Sequence, residues 1–363
     1  MNSSTSILHS PSSILHSLLV TGVAGFIGSN FIYYMQKHYP SLKIVGLDNL
    51  SYAGNLANLS KLPNKQNFHF VKGDICDFAL VDKLFNKHKI DGVINFAAES
   101  HVDRSIHNSA AFIKTNIQGT HTLLEVAKKH WYVDGVWEKE KRFLQVSTDE
   151  VYGSLGKTGY FTESTPLDPH SPYSASKASA DLIAKAYYDT YKMPVLITRC
   201  SNNYGPYQFP EKLIPLLINN CLQAKSLPVY GDGKNVRDWL FVDDHCNAVD
   251  LVFRAGVLGE VYNIGGSNER QNIYIVKKVI KTLSKTNPQV SEKLITYVKD
   301  RLGHDRRYAI DSTKIQKQLG WSPKTTFEVG IAKTIAWYLE NRTWMQSVIS
   351  GDYKSFYEVN YGK

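Results

Sequence analysis

At 363 residues, 43% hydrophobic and 21% charged, the chain can build about two domains with real cores, which excludes a disordered or collagen-like polymer. No apolar run approaches the roughly 20 residues of a membrane span, so a soluble protein with no membrane partner is expected. The formal charge of +9 favours anionic small molecules over nucleic acid, because the basic residues are spread out and even Lys139, Lys141 and Arg142 are interrupted by Glu138 and Glu140.

Residues 1–17 are Ser-rich, repeat Ser-Ile-Leu-His-Ser at 6–10 and 13–17, and precede the first basic residue, Lys37. They lack the basic start of a secretory signal and read as a disordered tail. Short apolar, β-branched runs then alternate with amphipathic stretches. The runs at 18–20, 43–47, 68–71, 92–96, 142–147 and 195–199 predict strands; the stretches at 26–38, 78–89, 109–130 and 173–191 predict helices. Strands without polar alternation are covered on both faces, so residues 18–203 read as an α/β domain with a doubly wound parallel Rossmann sheet. Past Tyr204, Pro206, Pro210 and Pro215 break the pattern and shorter elements follow. Residues 204–363 read as mainly a smaller, mixed α/β substrate domain, in a type of chain that often crosses between its domains. The four cysteines (Cys76, Cys200, Cys221, Cys246) form no CxxC and have no histidine at ligand spacing. Neither disulfides nor a metal is expected, and the usage suits a reducing, cytoplasmic compartment.

The stretch from Val20 to Gly28 reads G-x-x-G-x-x-G directly after the first strand. Gly22 permits a tight turn, Gly25 lets backbone approach a pyrophosphate, and Gly28 allows close packing at the start of a helix whose free N–H groups face the phosphates. Asp48 ends the second strand, where its carboxylate can accept from a ribose hydroxyl and repel a 2′-phosphate, which favours NAD over NADP. Asp74, after the third strand, is placed to meet adenine.

Tyr173 and Lys177 stand four apart at the start of a helical stretch, on one face. A neighbouring ammonium is expected to lower the phenol from its ordinary pKa of about 10. Thr148, Asp149 and Glu150 end the fifth strand, at the end of the sheet where open α/β folds bind ligands. Hydride transfer alone needs one base, so two adjacent carboxyls offer a separate acid and base if their surroundings differ. Read without further context, a pair of solvated loop carboxylates is the stronger reading.

These pieces, with Ala97 to Asp103, Ser147 to Gly153, Tyr173 to Lys177 and Arg199 to Pro206, resemble the extended short-chain dehydrogenase/reductases and, more narrowly, the dTDP-glucose 4,6-dehydratases. The likeness runs from about residue 18 to Tyr361, and its most specific piece is Thr148-Asp149-Glu150. It implies that Tyr173 takes the 4-hydroxyl proton while Thr148 holds that oxygen. Lys177 tunes the tyrosine, Glu150 removes the C5 proton, and Asp149 protonates the departing C6 hydroxyl. It implies NAD contacts from Gly22, Gly25, Phe26, Ile27, Gly28, Asp48, Asn49, Leu50, Ser51, Asp74, Ile75, Phe96, Ala97, Ala98, Ser100, Thr115, Tyr173, Lys177 and Asn203. Nucleotide-sugar contacts are implied for Ser100, Thr148, Asn202, Lys212, Leu213, Pro228, Val229, Tyr230, Arg237, Asn272, Asp300, Arg301, His304 and Tyr361, with Lys212, Arg237 and Arg301 suited to a diphosphate.

A homodimer through a four-helix bundle of the 109–130 and 173–191 helices, and a product feeding rhamnose or another deoxysugar, are implied as well. The chain departs from the family at Val23, Asn49 and Leu302, where Gly, Lys and Pro are usual. A UDP-glucose dehydratase, an epimerase and a non-catalytic NAD-binding protein are the competing readings.

Overall fold

A computed structural model describes residues 15–349. Seven parallel strands form the central sheet: β1 (Ser17–Thr21), β2 (Lys43–Asp48), β3 (Phe68–Lys72), β4 (Gly92–Asn95), β7 (Arg142–Thr148), β8 (Val195–Cys200) and β12 (Val261–Ile264), in the order β12-β8-β7-β4-β1-β2-β3. A small hairpin, β5 (Tyr132–Val133) and β6 (Val136–Trp137), lies outside this sheet. Six strands coincide with the predicted runs to within a residue or two at each end. The seventh comes from the C-terminal half and pairs with β8.

Burial on both faces follows from the strand period. In β1, Leu18 and Val20 join one apolar cluster while Leu19 joins another on the opposite face. The first face is covered by α1 (Phe26–His38) and α8 (Val242–Ala255). The second is covered by α2 (Phe78–His88), α5 (Thr120–Trp131) and α6 (Pro172–Tyr191). Residues 242–264 thus return to the first domain, and a simple cut at 204 does not describe the layers. A third apolar cluster, with α7 (Leu213–Leu222), α9 (Asn272–Leu283) and α11 (Phe327–Glu340), is the core of the smaller unit. That unit also holds the three-stranded sheet of β9 (Asn202–Tyr204), β11 (Val236–Phe241) and β13 (Glu269–Gln271), and the parallel pair β10 (Leu227–Tyr230) and β14 (Ile295–Val298).

Two expectations are corrected. Ser17 belongs to β1 rather than to a tail: its N–H and that of His16 donate to Asp91 Oδ2, and Leu15 packs on the core. The predicted helix 109–130 is broken into α4 (Ser109–Phe112), a π-helical turn (Ile113–Gly119) and α5. The remaining positions read as tail, 1–14, and Tyr361 lie outside the described residues.

Candidate active site

A cavity opens at the carboxyl ends of β1, β4, β7 and β8, beside the point where the strand order reverses. At its floor Gly22 takes a left-handed φ of 69° and donates its N–H to Leu47 O at 2.8 Å. A Cβ on Gly28 would lie 2.1 Å from Gly22 O, so only glycine lets α1 start against this turn. Asp48 is buried, and its carboxylate already accepts from Ala24 N (2.9 Å) and Leu50 N (2.8 Å). It therefore braces the glycine turn, with further lone pairs left for a ligand. Asn95 binds Thr21, Gln145 and Thr120, while the Thr21 hydroxyl accepts from Ala97 N, which fixes the strand end behind the cavity.

The catalytic candidates converge here. Ser171 caps α6 by a reciprocal bond with Ser174, with Pro172 next, which sets Tyr173 in the first turn. Lys177, one turn on, is buried and donates from Nζ to Val146 O at 2.7 Å. Thr148 caps the 3-10 turn Asp149–Tyr152 through Glu150 N at 3.2 Å and lies 3.4 Å from Asp149 Oδ1. Tyr173, Lys177, Thr148, Asp149 and Glu150 all line the same cavity.

The two carboxyls differ in setting. Asp149 is 1% exposed. Burial, then the Glu150 and Asp238 carboxylates, push it well above the usual range, and Arg237 opposes them. Glu150 is also raised by burial, but Arg301, Arg237 and Lys212 all favour its charged form. Both carboxyls are raised, Asp149 the more strongly, and the cations around Glu150 hold it back toward its charged form. Tyr173 corrects an expectation: burial and the Glu150 charge raise the phenol well above 10, only Thr148 pulls it down appreciably, and the Lys177 ammonium is spent on Val146 O. Lys177 itself is lowered by burial, with the Asp181 charge acting against that.

Most expected cofactor positions line the cavity: Gly22, Gly25, Phe26, Ile27, Gly28, Asp48, Asn49, Ser51, Ile75, Phe96, Ala97, Ala98, Ser100, Thr115 and Asn203. Leu50, half-buried, packs against the core beside them. Asp74 is not a lining residue: its carboxylate accepts from Cys76 N at 2.9 Å and pairs with Lys114 at 3.5 Å, a strand-end cap. Of the substrate positions, Ser100, Thr148, Asn202 and Lys212 line the cavity. Leu213 and Val229 turn into the smaller core, and Pro228 is buried with β10. Arg237 and Arg301 act on Glu150 from the smaller unit. Tyr230 reaches Asp103 at 3.4 Å, Arg301 pairs with Asp103 at 3.6 Å, and Asp300 binds His304 at 2.5 Å. Asn272 stands at the start of α9 beside β13. Val23 is buried without a left-handed φ, Asn49 accepts from Ser51 N, and Leu302 is exposed.

Sequence reasoning missed Glu211 and Asn116. Asn116, on the π-helical turn, binds Glu99 N and O and the Ser176 hydroxyl. Glu211 lines the cavity, accepts from the Tyr52 hydroxyl at 2.9 Å, and is raised by burial to about 7. No spacing pattern marks either one. Ser147 Oγ, Asp149 Oδ2, Asn202 Oδ1 and Asn203 Oδ1 are buried lining atoms without a hydrogen-bond partner inside the protein, the mark of a polar ligand's place.

The doubly wound sheet, the glycine turn braced by Asp48, and the Tyr173–Lys177 helix at the strand ends define a short-chain dehydrogenase/reductase fold with a dinucleotide site. The chain belongs to the GDP-mannose 4,6 dehydratase family, whose model matches residues 19–334. It is 54% identical over 341 residues, 93% of this chain and 97% of the other, to the dTDP-glucose 4,6-dehydratase of Xanthomonas campestris pv. campestris. Among solved structures it is similar to the Bacillus anthracis dTDP-glucose 4,6-dehydratase in complex with NAD, at 51% identity and a TM-score of 0.83, covering 92% of this chain and 99% of that one. It is also similar to the dTDP-glucose 4,6-dehydratase DesIV of Streptomyces venezuelae with NAD and TYD bound, at 47% identity and a TM-score of 0.85, with the same coverage. Among the described residues no helix is long and apolar enough to cross a membrane.

Proposed function

We propose that the protein is an NAD-dependent lyase that converts dTDP-glucose to dTDP-4-dehydro-6-deoxyglucose and water. The observation that carries this reading is the convergence of Thr148, Asp149, Glu150, Tyr173 and Lys177 on one cavity, with Asp149 raised more strongly than Glu150. The glycine turn, the N-terminus of α1, Asp48 and the buried unpartnered polar atoms suit NAD. When bound, NAD accepts hydride from C4 of the glucosyl ring and returns it to C6.

The residues move the protons. Tyr173 takes the proton of the 4-hydroxyl, with Thr148 on the same oxygen. The 4-ketone acidifies C5, whose proton goes to Glu150. Asp149 gives its proton to the C6 hydroxyl, which leaves as water. Glu150 returns its proton to C5, and the proton left on Tyr173 balances the one Asp149 gave up. Because Tyr173 is a high-pKa phenol in the protein itself, the positive nicotinamide ring of a bound NAD⁺ would be what favours its basic form. Arg237 gives two of its five N–H groups to Val236 O and Asp305 O, so it meets the diphosphate with the remaining three, beside Lys212 and Arg301.

Purified protein incubated separately with dTDP-glucose and UDP-glucose should remove one water from the first, read by mass spectrometry. Water loss from UDP-glucose alone would reassign the base, and intact sugar nucleotides in both would end the dehydratase reading. Combined Asp149→Asn and Glu150→Gln should accumulate bound NADH with little deoxy product; general acid and base are each worth roughly 10²–10⁴ in rate.

The protein also reads as a homodimer. The outer faces of the π-helical turn and α6 carry Ile113 and Leu182, 56% and 60% exposed, in line with a four-helix bundle between two copies. Four free thiols accord with a cytoplasmic setting.

A further inference from the structure

Arg199 lies in mid-sheet, paired in register with Ser147 of β7 on one side and Asn263 of β12 on the other. Its Nε donates to Asp181 Oδ2 at 2.8 Å, and one terminal nitrogen donates to the Tyr152 hydroxyl at 2.9 Å. Tyr152 in turn donates to Asn263 Oδ1 at 2.8 Å. Arg199, Asp181, Tyr152 and Asn263 are 5%, 1%, 3% and 0% exposed.

The two arms of this network end at different parts of the chemistry. Asp181 is one turn beyond Lys177 on α6, and its charge is the main one supporting that ammonium. Tyr152 closes the single 3-10 turn that presents Asp149 and Glu150. A buried ion pair is a poor source of net stability, since desolvation offsets its attraction. Its geometric effect is large, because catalytic groups must be held to within a fraction of an ångström.

We propose that Arg199 is a positioning residue that locks the two halves of the site in one frame, its Asp181 arm setting Lys177 and Tyr173 for oxidation and its Tyr152 arm setting Asp149 and Glu150 for elimination. This rests on the dehydratase reading above and adds a division of labour between the arms.

The test follows absorbance of bound NADH during turnover, with kcat, KM and thermal midpoint, in Tyr152→Phe and Asp181→Asn. Displacing a reacting group by an ångström costs up to about 10²-fold, and kcat should fall toward that scale in both variants, with KM for the sugar nucleotide unchanged. Elimination lags in Tyr152→Phe, so the steady-state fraction of NADH rises above wild type. Oxidation lags in Asp181→Asn, so that fraction falls below it. A merely structural role would lower the thermal midpoint and kcat without moving the fraction in opposite directions, and that result, or unchanged kcat, overturns the proposal. Tyr152→Phe removes a single oxygen and decides alone if Asp181→Asn does not fold. Wild-type enzyme run alongside isolates failure of the dehydratase reading, which would appear as absent turnover before any substitution.

Discussion

Two neighbouring carboxyls can divide acid from base only if their surroundings differ, and here each surrounding can be traced to particular side chains. The charges of Glu150 and Asp238 disfavour the ionised form of Asp149, against Arg237, while Arg301, Arg237 and Lys212 favour the ionised form of Glu150. The rate should therefore fall on the acid side as Glu150 is protonated and on the alkaline side as Asp149 ionises. In Asp149→Asn the residual activity should lose the alkaline limb, which a pH profile of kcat measures. Glu211 gives a stability test of the same kind. Its folded pKa of about 7 stands above the ordinary 4.5, so the stability it allows is full below about 4.5 and is lost as pH rises through 7. Glu211→Gln should flatten that slope and gain up to roughly 3 kcal/mol at pH 8, from about 1.4 kcal/mol per pKa unit, measured by urea unfolding at pH 5 and pH 8. The residue types of the acid pair are legible in the sequence. Their unequal settings are not, because Arg237, Asp238 and Arg301 come from elements far along the chain.

The elements aim these groups, and α6 aims the most. Its start is fixed by the Ser171–Ser174 capping box and Pro172, two residues before the phenol. Ser171→Ala removes the bond to Ser174 N (3.1 Å) and should cost about 1 kcal/mol, seen in thermal unfolding, with a lower kcat than the stability loss alone explains because Tyr173 lies in the frayed turn. Six of the seven sheet strands could be read from sequence because a strand buried on both faces is apolar at successive positions. Val261–Ile264 escaped, since four residues in a region already read as a separate domain carry too little pattern to reveal their partner. The π-helical turn escaped for another reason. It has no propensity signature, and its Asn116 is tied to partners distant in sequence, Glu99 and Ser176. Asp74 carries both roles read for it from the sequence: its carboxylate caps its own turn and keeps lone pairs for an adenine amine.

At the scale of the whole molecule, the chain returns to the first sheet through residues 242–264, so the two units are joined by more than one crossing and the cations of the smaller unit act on the carboxyls of the larger. The same helices that carry the site turn an apolar face outward. Tyr187 of α6 donates to Glu125 of α5, joining the two helices on the inner side, while Ile113 and Leu182 face away. A stable dimer needs about 800 Å² buried per partner. Ile113→Asp with Leu182→Asp places like charges on a surface that a two-fold axis would bring against its own copy. Sedimentation should then shift from twice the 41.0 kDa protomer mass to that mass. Thr148, Asp149, Glu150, Tyr173 and Lys177 converge within a single chain, so turnover should persist in the separated protomer. An unshifted dimer would place the interface elsewhere, and an inactive but folded monomer would mean that the partner copy completes the site.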